Sequence, residues 1–241
     1  MSNARKTAGV LGGMGPEATV DFMARVIALT DAECDQDHVR MLVDHNPHVP
    51  NRQDAILRGG EDPGPALVAM AAGLEAGGAD FLVIPCNTAH VYEDAILAAT
   101  HLPLISIVGV SIAAAQERAP GVSRIGLLAT DGCLASGIYQ SGLEAAGLEA
   151  ELLTVDELGE LMTLIGAIKA GKHTEATACG MAALAGELAS RGAGAIIAGC
   201  TEIPLVLDED AVSVPLVSST EALAEITVKL ATGEIPLPDC L

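Results

Sequence analysis

The chain has 241 residues, of which 50% are hydrophobic and only 2% aromatic, and its formal net charge at pH 7 is −20. A chain of this length and hydrophobicity can bury a substantial core, in one large domain or in two small ones, which argues against disorder. The negative charge and the scarcity of aromatic rings argue against binding to nucleic acid or to an anionic membrane surface.

In the first half of the chain, short apolar runs alternate with longer, alanine-rich amphipathic segments. This alternation predicts an α/β fold, in which parallel strands are covered by helices on both faces of the sheet. The predicted strands are residues 8–11, 39–43, 81–84 and 104–108, and the predicted helices are residues 18–29, 65–76 and 93–100.

The second half repeats the alternation and predicts a second open parallel sheet. Its predicted strands are residues 125–128, 152–155, 195–198 and 214–216, and its predicted helices are residues 136–146, 157–170, 174–190 and 219–230. We expect two similar α/β domains related by a pseudo-twofold axis, with the active site in the cleft between them. The predicted boundaries are 1–108 plus 217–241 for the first domain, because the last helix is expected to pack back onto it, and 109–216 for the second.

Two cysteines occupy matching places in the two halves. Cys86 follows the apolar run 81–84, Cys200 follows the apolar run 195–198, and the two cysteines lie 114 residues apart. A Gly-Ala pair precedes each cysteine by eight residues, so the shared offset indicates an internal repeat. Ligands of open parallel sheets bind outside the carboxyl ends of the strands. Both thiols are therefore predicted to face one cleft from opposite sides.

Two opposed thiols suit a reaction that inverts a stereocentre by proton transfer. One group removes a proton from one face while the other delivers a proton to the opposite face, and the roles exchange in the reverse direction. A free cysteine has a pKa of about 8.5, which a helix N-terminus or a nearby cation can lower. The residues after each cysteine, Asn87-Thr88 and Thr201-Glu202, offer donors and hydroxyls that can hold a substrate carboxylate.

The remaining cysteines show no Cys-x-x-Cys pairing, and Cys34, Cys133, Cys179 and Cys240 are interpreted as packing residues. No apolar stretch reaches the length of about 18 residues that a membrane span requires, and residues 1–6 lack the apolar centre of a signal peptide. We therefore expect a cytoplasmic protein with reduced thiols.

No cofactor or metal is expected. The glycine-rich segment 9–15 lacks the GxGxxG spacing of a dinucleotide site, and no lysine lies in a recognisable pyridoxal phosphate motif. The spacing of His45, His48 and His90 matches no standard zinc pattern, although His90 could orient the segment after Cys86. Glu17 and Glu202 could be general bases or helix caps.

Several ordered motifs along nearly the whole chain resemble the aspartate/glutamate racemase superfamily of cofactor-independent racemases, and most closely its aspartate racemase branch. The motifs are GVLGGMGPEAT (9–19), NPHVPNR (46–52), CNTAH (86–90), LATDG (128–132), IKAG (168–171) and GCTE (199–202). Glu202 follows Thr201 where the glutamate racemase branch carries histidine, which favours aspartate over glutamate as the substrate.

The resemblance implies a dimeric amino-acid racemase of two similar α/β domains that interconverts L- and D-aspartate, or also glutamate, without a cofactor. It implies that Cys86 and Cys200 are the catalytic pair and that Arg52 and Lys169 bind the substrate carboxylates. The further predicted substrate contacts are Met14, Asn87, Thr88, Thr130, Thr201 and Glu202.

Two other functions remain open at this point. The first is a related isomerase or lyase on the same fold, such as a hydantoin racemase, a maleate isomerase or a malonate decarboxylase, although a decarboxylase needs only one of the two cysteines. The second is a non-catalytic protein that binds small dicarboxylates.

Overall fold

Two four-stranded parallel sheets form the centre of the structure, one in each half of the chain. The computed structural model describes residues 5–238; the start of the N-terminal segment, residues 1–4, and Cys240 lie outside the described residues. The strands are β1 (Ala8–Gly12), β2 (Met41–His45), β3 (Phe81–Val83), β4 (Leu104–Ile105), β5 (Arg124–Leu128), β6 (Glu149–Leu152), β7 (Ala195–Ala198) and β8 (Leu216–Ser218).

Helices connect the strands and cover both sheets. They are α1 (Pro16–Leu29), α2 (Arg52–Arg58), α3 (Gly64–Ala76), α4 (Glu93–Leu97), α5 (Ile107–Arg118), α6 (Asp131–Ser136), α7 (Ile138–Ala145), α8 (Val155–Lys169), α9 (Glu175–Ser190) and α10 (Ser219–Thr232). The first sheet has the order β2-β1-β3-β4 and the second has the order β6-β5-β7-β8, so the two halves share one topology. The predicted α/β class with two similar open parallel sheets is confirmed.

A shared packing contact shows how closely the halves correspond. Gly9 in β1 and Gly126 in β5 each lie where a helix and a neighbouring strand press against the sheet. A Cβ atom at Gly9 would lie 2.8–3.3 Å from side-chain atoms, and one at Gly126 would lie 3.1–3.2 Å from them. The atoms around Gly9 belong to Leu74, Ala79 and Leu82, and those around Gly126 belong to the residues 114 positions later, Leu188, Ala193 and Ile196.

The prediction of a strand over residues 104–108 is wrong beyond Ile105. Helix α5 begins at Ile107, and the side chain of Ser106 caps it by accepting a hydrogen bond from the Gly109 N–H at 3.4 Å. The apolar run therefore contains a two-residue strand and the first buried turn of a helix. A short apolar run does not distinguish a strand from a buried helix start.

The prediction of a strand over residues 152–155 is also wrong. The strand of this region, β6, ends at Leu152, and α8 starts at Val155 with a capping box formed by Thr154 and Glu157. The side chain of each capping residue accepts a hydrogen bond from the other's backbone N–H, which fixes the helix start. Val155 is therefore in the first turn of a helix, where it is exposed.

Smaller differences occur elsewhere. The predicted helix 136–146 is two helices, α6 and α7, because Gly137 adopts a left-handed conformation with φ of 74° between them. The predicted strand 214–216 begins only at Leu216, after Pro215. The predicted helix 93–100 ends at Leu97 and follows a 3₁₀ helix over Thr88–Tyr92. Helix α2 was not predicted, because its seven residues carry no apolar periodicity.

One hydrophobic cluster contains buried side chains from both halves, including Val10 and Phe81 from the first sheet and Leu127 and Ile197 from the second. Helix α10 packs against α1 and α5. We retain as a proposal the division into residues 1–108 plus 217–241 and residues 109–216. Within residues 5–238, no helix combines the length and hydrophobicity that a membrane span requires.

Candidate active site

Cys86 and Cys200 line one small cavity, called the inner cavity below, between the two halves. Cys86 follows β3, Cys200 follows β7, and these strands hold equivalent places in the two sheets. Each cysteine is 6% exposed. All ten predicted site residues line this cavity: Met14, Arg52, Cys86, Asn87, Thr88, Thr130, Lys169, Cys200, Thr201 and Glu202.

The inner cavity is nearly closed. Its volume is about 10 Å³, which is the space that one water molecule needs. An amino acid does not fit into this volume, so a substrate can reach the two thiols only if the surrounding segments move apart. Sequence analysis missed two of the lining residues, Gln53 on α2 and Gly199.

The Cys200 thiol is hydrogen-bonded to a buried carboxylate. Its Sγ donates to Glu202 Oε2 at 3.0 Å, and Glu202 is 4% exposed. Burial, together with the negative charge of Glu202, raises the pKa of Cys200 well above its usual value. Cys200 is therefore a protonated thiol in this state. The expectation that Glu202 is a helix cap is not met, because its side chain makes no cap hydrogen bond.

Two cations face the inner cavity. Lys169 Nζ lies 3.5 Å from Glu202 Oε1. Burial is the largest single effect and lowers the pKa of Lys169, but the attraction of Glu202, added to that of the Cys200 and Cys86 sulfurs, raises the pKa on balance. Arg52 is 9% exposed and its guanidinium donates to the carbonyl oxygens of Val49 and Pro50 at 3.2 and 3.0 Å. Its Nε has no hydrogen-bond partner, which leaves a donor for an anionic ligand.

Hydroxyl groups join the two halves beside the cysteines. The hydroxyls of Thr88 and Thr130 are 3.0 Å apart, and Thr201 Oγ1 donates to the carbonyl oxygen of Pro85 at 3.3 Å. Thr130 also accepts a hydrogen bond from the Cys133 N–H at the start of α6. These three hydroxyls, predicted to contact substrate, bond to groups of the opposite half in this closed state.

The side chain of Asn87 belongs to a buried hydrogen-bond chain that sequence analysis missed. Tyr139 OH donates to Asn87 Oδ1 at 2.7 Å, and Asn87 Nδ2 donates to Ser219 Oγ at 3.0 Å. Ser219 in turn donates to the carbonyl oxygen of Ala198 at 2.8 Å, two residues before Cys200. The chain connects the segment after one thiol to the strand before the other, so we call it the inter-thiol network.

His90 fixes the backbone of Cys86. The Ile107 N–H donates to His90 Nε2 at 3.2 Å, so Nδ1 carries the ring proton and donates to the Cys86 carbonyl oxygen at 3.0 Å. Burial lowers the pKa of His90, which keeps the ring neutral. This arrangement agrees with the orienting role considered for His90. Within residues 5–238, no three His, Cys, Asp or Glu side chains gather where they could hold a metal ion.

A second cavity, called the outer cavity below, adjoins the first and has a volume of about 250 Å³. It is lined by the turn after β1, the start of α1 and the end of α8. Arg52, Lys169 and Glu202 line both cavities. Glu17, a candidate general base in the sequence, lines the outer cavity, and its Oε2 lies 3.2 Å from His173 Nε2.

The packing interpretation of the other cysteines is wrong for two of them. Cys34 and Cys179 are exposed. Cys34 lies in an irregular connection, where its thiol donates to Asp37 Oδ2 at 3.2 Å, and Cys179 faces outward on α9. Cys133 is buried in the core, and burial raises its pKa to about 12. Cys240 lies outside the described residues.

Comparison with known proteins identifies relatives over nearly the whole chain. A family model described as Asp/Glu/Hydantoin racemase matches residues 11–227. The chain is 33% identical over 225 residues to the broad specificity amino-acid racemase RacX of Bacillus subtilis (strain 168), a match that covers 91% of this chain and 96% of that protein.

Solved structures show the same fold. The aspartate racemase of Picrophilus torridus superposes with a TM-score of 0.84 and 28% sequence identity, and the match covers 97% of this chain and 96% of that one. The glutamate racemase of Francisella tularensis, solved with D-glutamate, superposes with a TM-score of 0.64 and 15% identity, covering 95% of this chain and 82% of that one. At 15% identity the second match is a likeness of fold alone.

Proposed function

The chain belongs to the Asp/Glu/Hydantoin racemase family, and from this premise we propose a cofactor-independent racemase that interconverts L- and D-aspartate with Cys86 and Cys200 as its two acid–base groups. It is an isomerase that acts on amino acids. The observation that carries the finer proposal is the presence of both thiols in one closed cavity together with Arg52 and Lys169.

In the proposed reaction, the thiolate of one cysteine takes the proton from the α carbon. The C–H bond breaks, an S–H bond forms, and the electron pair spreads into the substrate carboxylate. The thiol of the other cysteine then delivers its proton to the opposite face, which leaves it as the thiolate for the reverse direction. The Arg52 guanidinium suits the carboxylate on which negative charge develops, because its planar donors can bind both oxygens.

The hydrogen bond between Cys200 and Glu202 supports one assignment of the resting protonation state. Cys200 holds its proton in this state, so the proposal makes Cys200 the first acid and Cys86 the first base. After a turnover in that direction the protonation states are exchanged. The reverse reaction starts from this exchanged state, in which Cys200 is the thiolate and Cys86 is the thiol.

Aspartate is the favoured substrate because two cations line the cavity and a dicarboxylic amino acid has two carboxylates. The aspartate racemase of Picrophilus torridus supports this choice, whereas the broad specificity of RacX favours a wider range of amino acids. The homodimer and the cytoplasmic location predicted from the sequence are retained in the proposal. Sedimentation of the purified protein tests the dimer.

The function is tested by a chiral assay of L- and D-aspartate and L- and D-glutamate without added cofactor. We expect both enantiomers of aspartate to racemise, and in D₂O the product is expected to carry deuterium at the α carbon. General acid–base catalysis contributes about 10²–10⁴-fold, so Cys86→Ala and Cys200→Ala are each expected to lose at least about 100-fold in kcat. The matched controls are Cys34→Ala and Cys179→Ala, which remove exposed thiols and should leave kcat unchanged.

Retention of wild-type racemisation by both Cys86→Ala and Cys200→Ala would refute the two-cysteine mechanism. Binding of aspartate, seen as a rise in the melting temperature, without any turnover would instead support the non-catalytic dicarboxylate binder.

A further inference from the structure

Lys169, which the proposed function assigns to a substrate carboxylate, already contacts a carboxylate of the protein. Its Nζ lies 3.5 Å from Glu202 Oε1. The lysine side chain is 37% exposed, whereas the Glu202 side chain is only 5% exposed. The lysine end of the ion pair is therefore partly exposed, whereas the glutamate end is buried.

Glu202 lies in the wall of both cavities, and only one of its two carboxylate oxygens accepts a hydrogen bond. Its Oε2 accepts the hydrogen bond from Cys200, while its buried Oε1 has no hydrogen-bond partner and only the ion pair with Lys169. Gly15 makes room for this oxygen, because a Cβ atom at that position would lie 2.7 Å from Oε1. A carboxylate placed in this way can turn from Lys169 to another cation, such as the ammonium group of a substrate.

The Lys169–Glu202 ion pair separates the two cavities. Both residues line the inner cavity, which holds the thiols, and both line the larger outer cavity. A ligand that moves from the outer cavity to the thiols passes between side chains that include this pair and Arg52, which also lines both cavities. The three charged side chains that line both cavities are two cations, Arg52 and Lys169, and one anion, Glu202, so one positive charge is uncompensated within this set.

One uncompensated positive charge matches one carboxylate. An amino acid with an uncharged side chain can bind its α-carboxylate to Arg52 while the ion pair stays intact. A dicarboxylic amino acid needs Lys169 as well, and its second carboxylate must displace Glu202. We propose that Glu202 is a specificity-determining residue, an internal carboxylate that competes for Lys169 and thereby admits amino acids with uncharged side chains beside aspartate.

This inference rests on the proposed function and is tested by the specificity ratio, the kcat/KM for L-aspartate divided by that for L-alanine. Glu202→Gln frees Lys169, and the ratio is expected to rise at least tenfold, mainly because KM for aspartate falls. The same two thiols act on both substrates, so any loss that the variant causes through Cys200 cancels in the ratio. Glu17→Gln is the matched control, because it removes the same charge from the outer cavity without touching Lys169. Its ratio should stay within twofold of wild type.

A double-mutant cycle shows whether the effect passes through the lysine. Lys169→Met should lower the ratio, and in that background Glu202→Gln should change it by less than twofold. If Glu202→Gln fails to fold, Gly15→Ala provides the second variant, because its methyl group would crowd Oε1 at 2.7 Å and displace the oxygen that pairs with Lys169, which should also raise the ratio.

The inference is overturned if Glu202→Gln leaves the ratio unchanged or lowers it, or if the tenfold rise persists in the Lys169→Met background. Failure of the proposed function gives a different result, since wild-type protein would then racemise neither aspartate nor alanine and no ratio would exist.

Discussion

Removal of one hydroxyl group from the inter-thiol network should weaken both the fold and the reaction. The change is Tyr139→Phe. Tyr139 is fully buried, and burial raises its pKa well above its usual value, so the phenol stays a hydrogen-bond donor. The variant keeps the aromatic ring against Gly199 but leaves Asn87 Oδ1 without the hydrogen bond that it accepts at 2.7 Å.

An unsatisfied buried acceptor costs about 1–3 kcal/mol. Chains of about 150–250 residues lose about 2–4 °C in melting temperature per kcal/mol, so Tyr139→Phe should melt about 2–12 °C below wild type. The network also fixes the segment after Cys86 against the strand before Cys200. We therefore expect kcat for aspartate to fall by about tenfold or more, because a displacement of about 1 Å at a reacting group is costly, while KM changes little.

Thermal unfolding followed by circular dichroism and the chiral assay measure the two effects. The chain has two tyrosines, so Tyr92→Phe deletes the same atom outside both cavities and is the matched control. Its free energy of unfolding should change by no more than about 0.5 kcal/mol. The reasoning is refuted if Tyr139→Phe is as stable and as active as Tyr92→Phe. A loss of stability with unchanged kcat would confine the network to a structural role.

Three further changes have expected outcomes. Gly199→Ala should lower the free energy of unfolding by about 1–3 kcal/mol in urea titrations, because its Cβ would lie 3.0 Å from the Tyr139 ring; wild-type stability would contradict this. The pKa of His90 is lowered in the folded protein, so the unfolded chain takes up this proton at a higher pH than the folded chain does. The free energy of unfolding of the wild type should therefore fall as the pH drops below about 6.5, by at most about 1.4 kcal/mol per pH unit. In His90→Gln, the free energy of unfolding should lose this part of its pH dependence between pH 7.5 and 5.5. An unchanged pH dependence would exclude a neutral His90 ring that accepts the hydrogen bond of the Ile107 N–H. The Glu157 carboxylate, whose pKa hydrogen bonds lower to about 2, stabilises the fold above its unfolded pKa of about 4.3. The difference in melting temperature between wild type and Glu157→Gln should therefore shrink as the pH falls from 5 to 2, and a constant difference would contradict it.

Much of the fold was predictable because its central strands are continuous apolar runs. The prediction for residues 195–198 matches β7, whose residues are all buried. The ends of the outer strands were not predictable in this way. Val155 and Ile107 are apolar and follow strands, but side chains at Thr154 and Ser106 accept backbone N–H groups and start helices there.

The site was predictable in its membership and not in its hydrogen bonds. The repeat offset and the motifs identified ten residues, and the structure places all ten in the lining of one cavity. Nothing in the sequence indicated that Asn87 bonds to Tyr139 and Ser219, which are 52 and 132 residues away. Gln53 was missed because it lies just outside the six motifs, immediately after Arg52. Only the fold determines such long-range contacts.

The closed inner cavity has a kinetic consequence. A space of about 10 Å³ cannot exchange an amino acid with the solvent, so each turnover requires the segments around the cavity to open and to close again. Motions of this kind take microseconds to milliseconds, and in many enzymes the escape of product is slower than the chemical step. Increased solvent viscosity should then slow the enzyme, even though the proposed proton transfers between sulfur and carbon would take place in the closed cavity, where solvent viscosity has no direct effect.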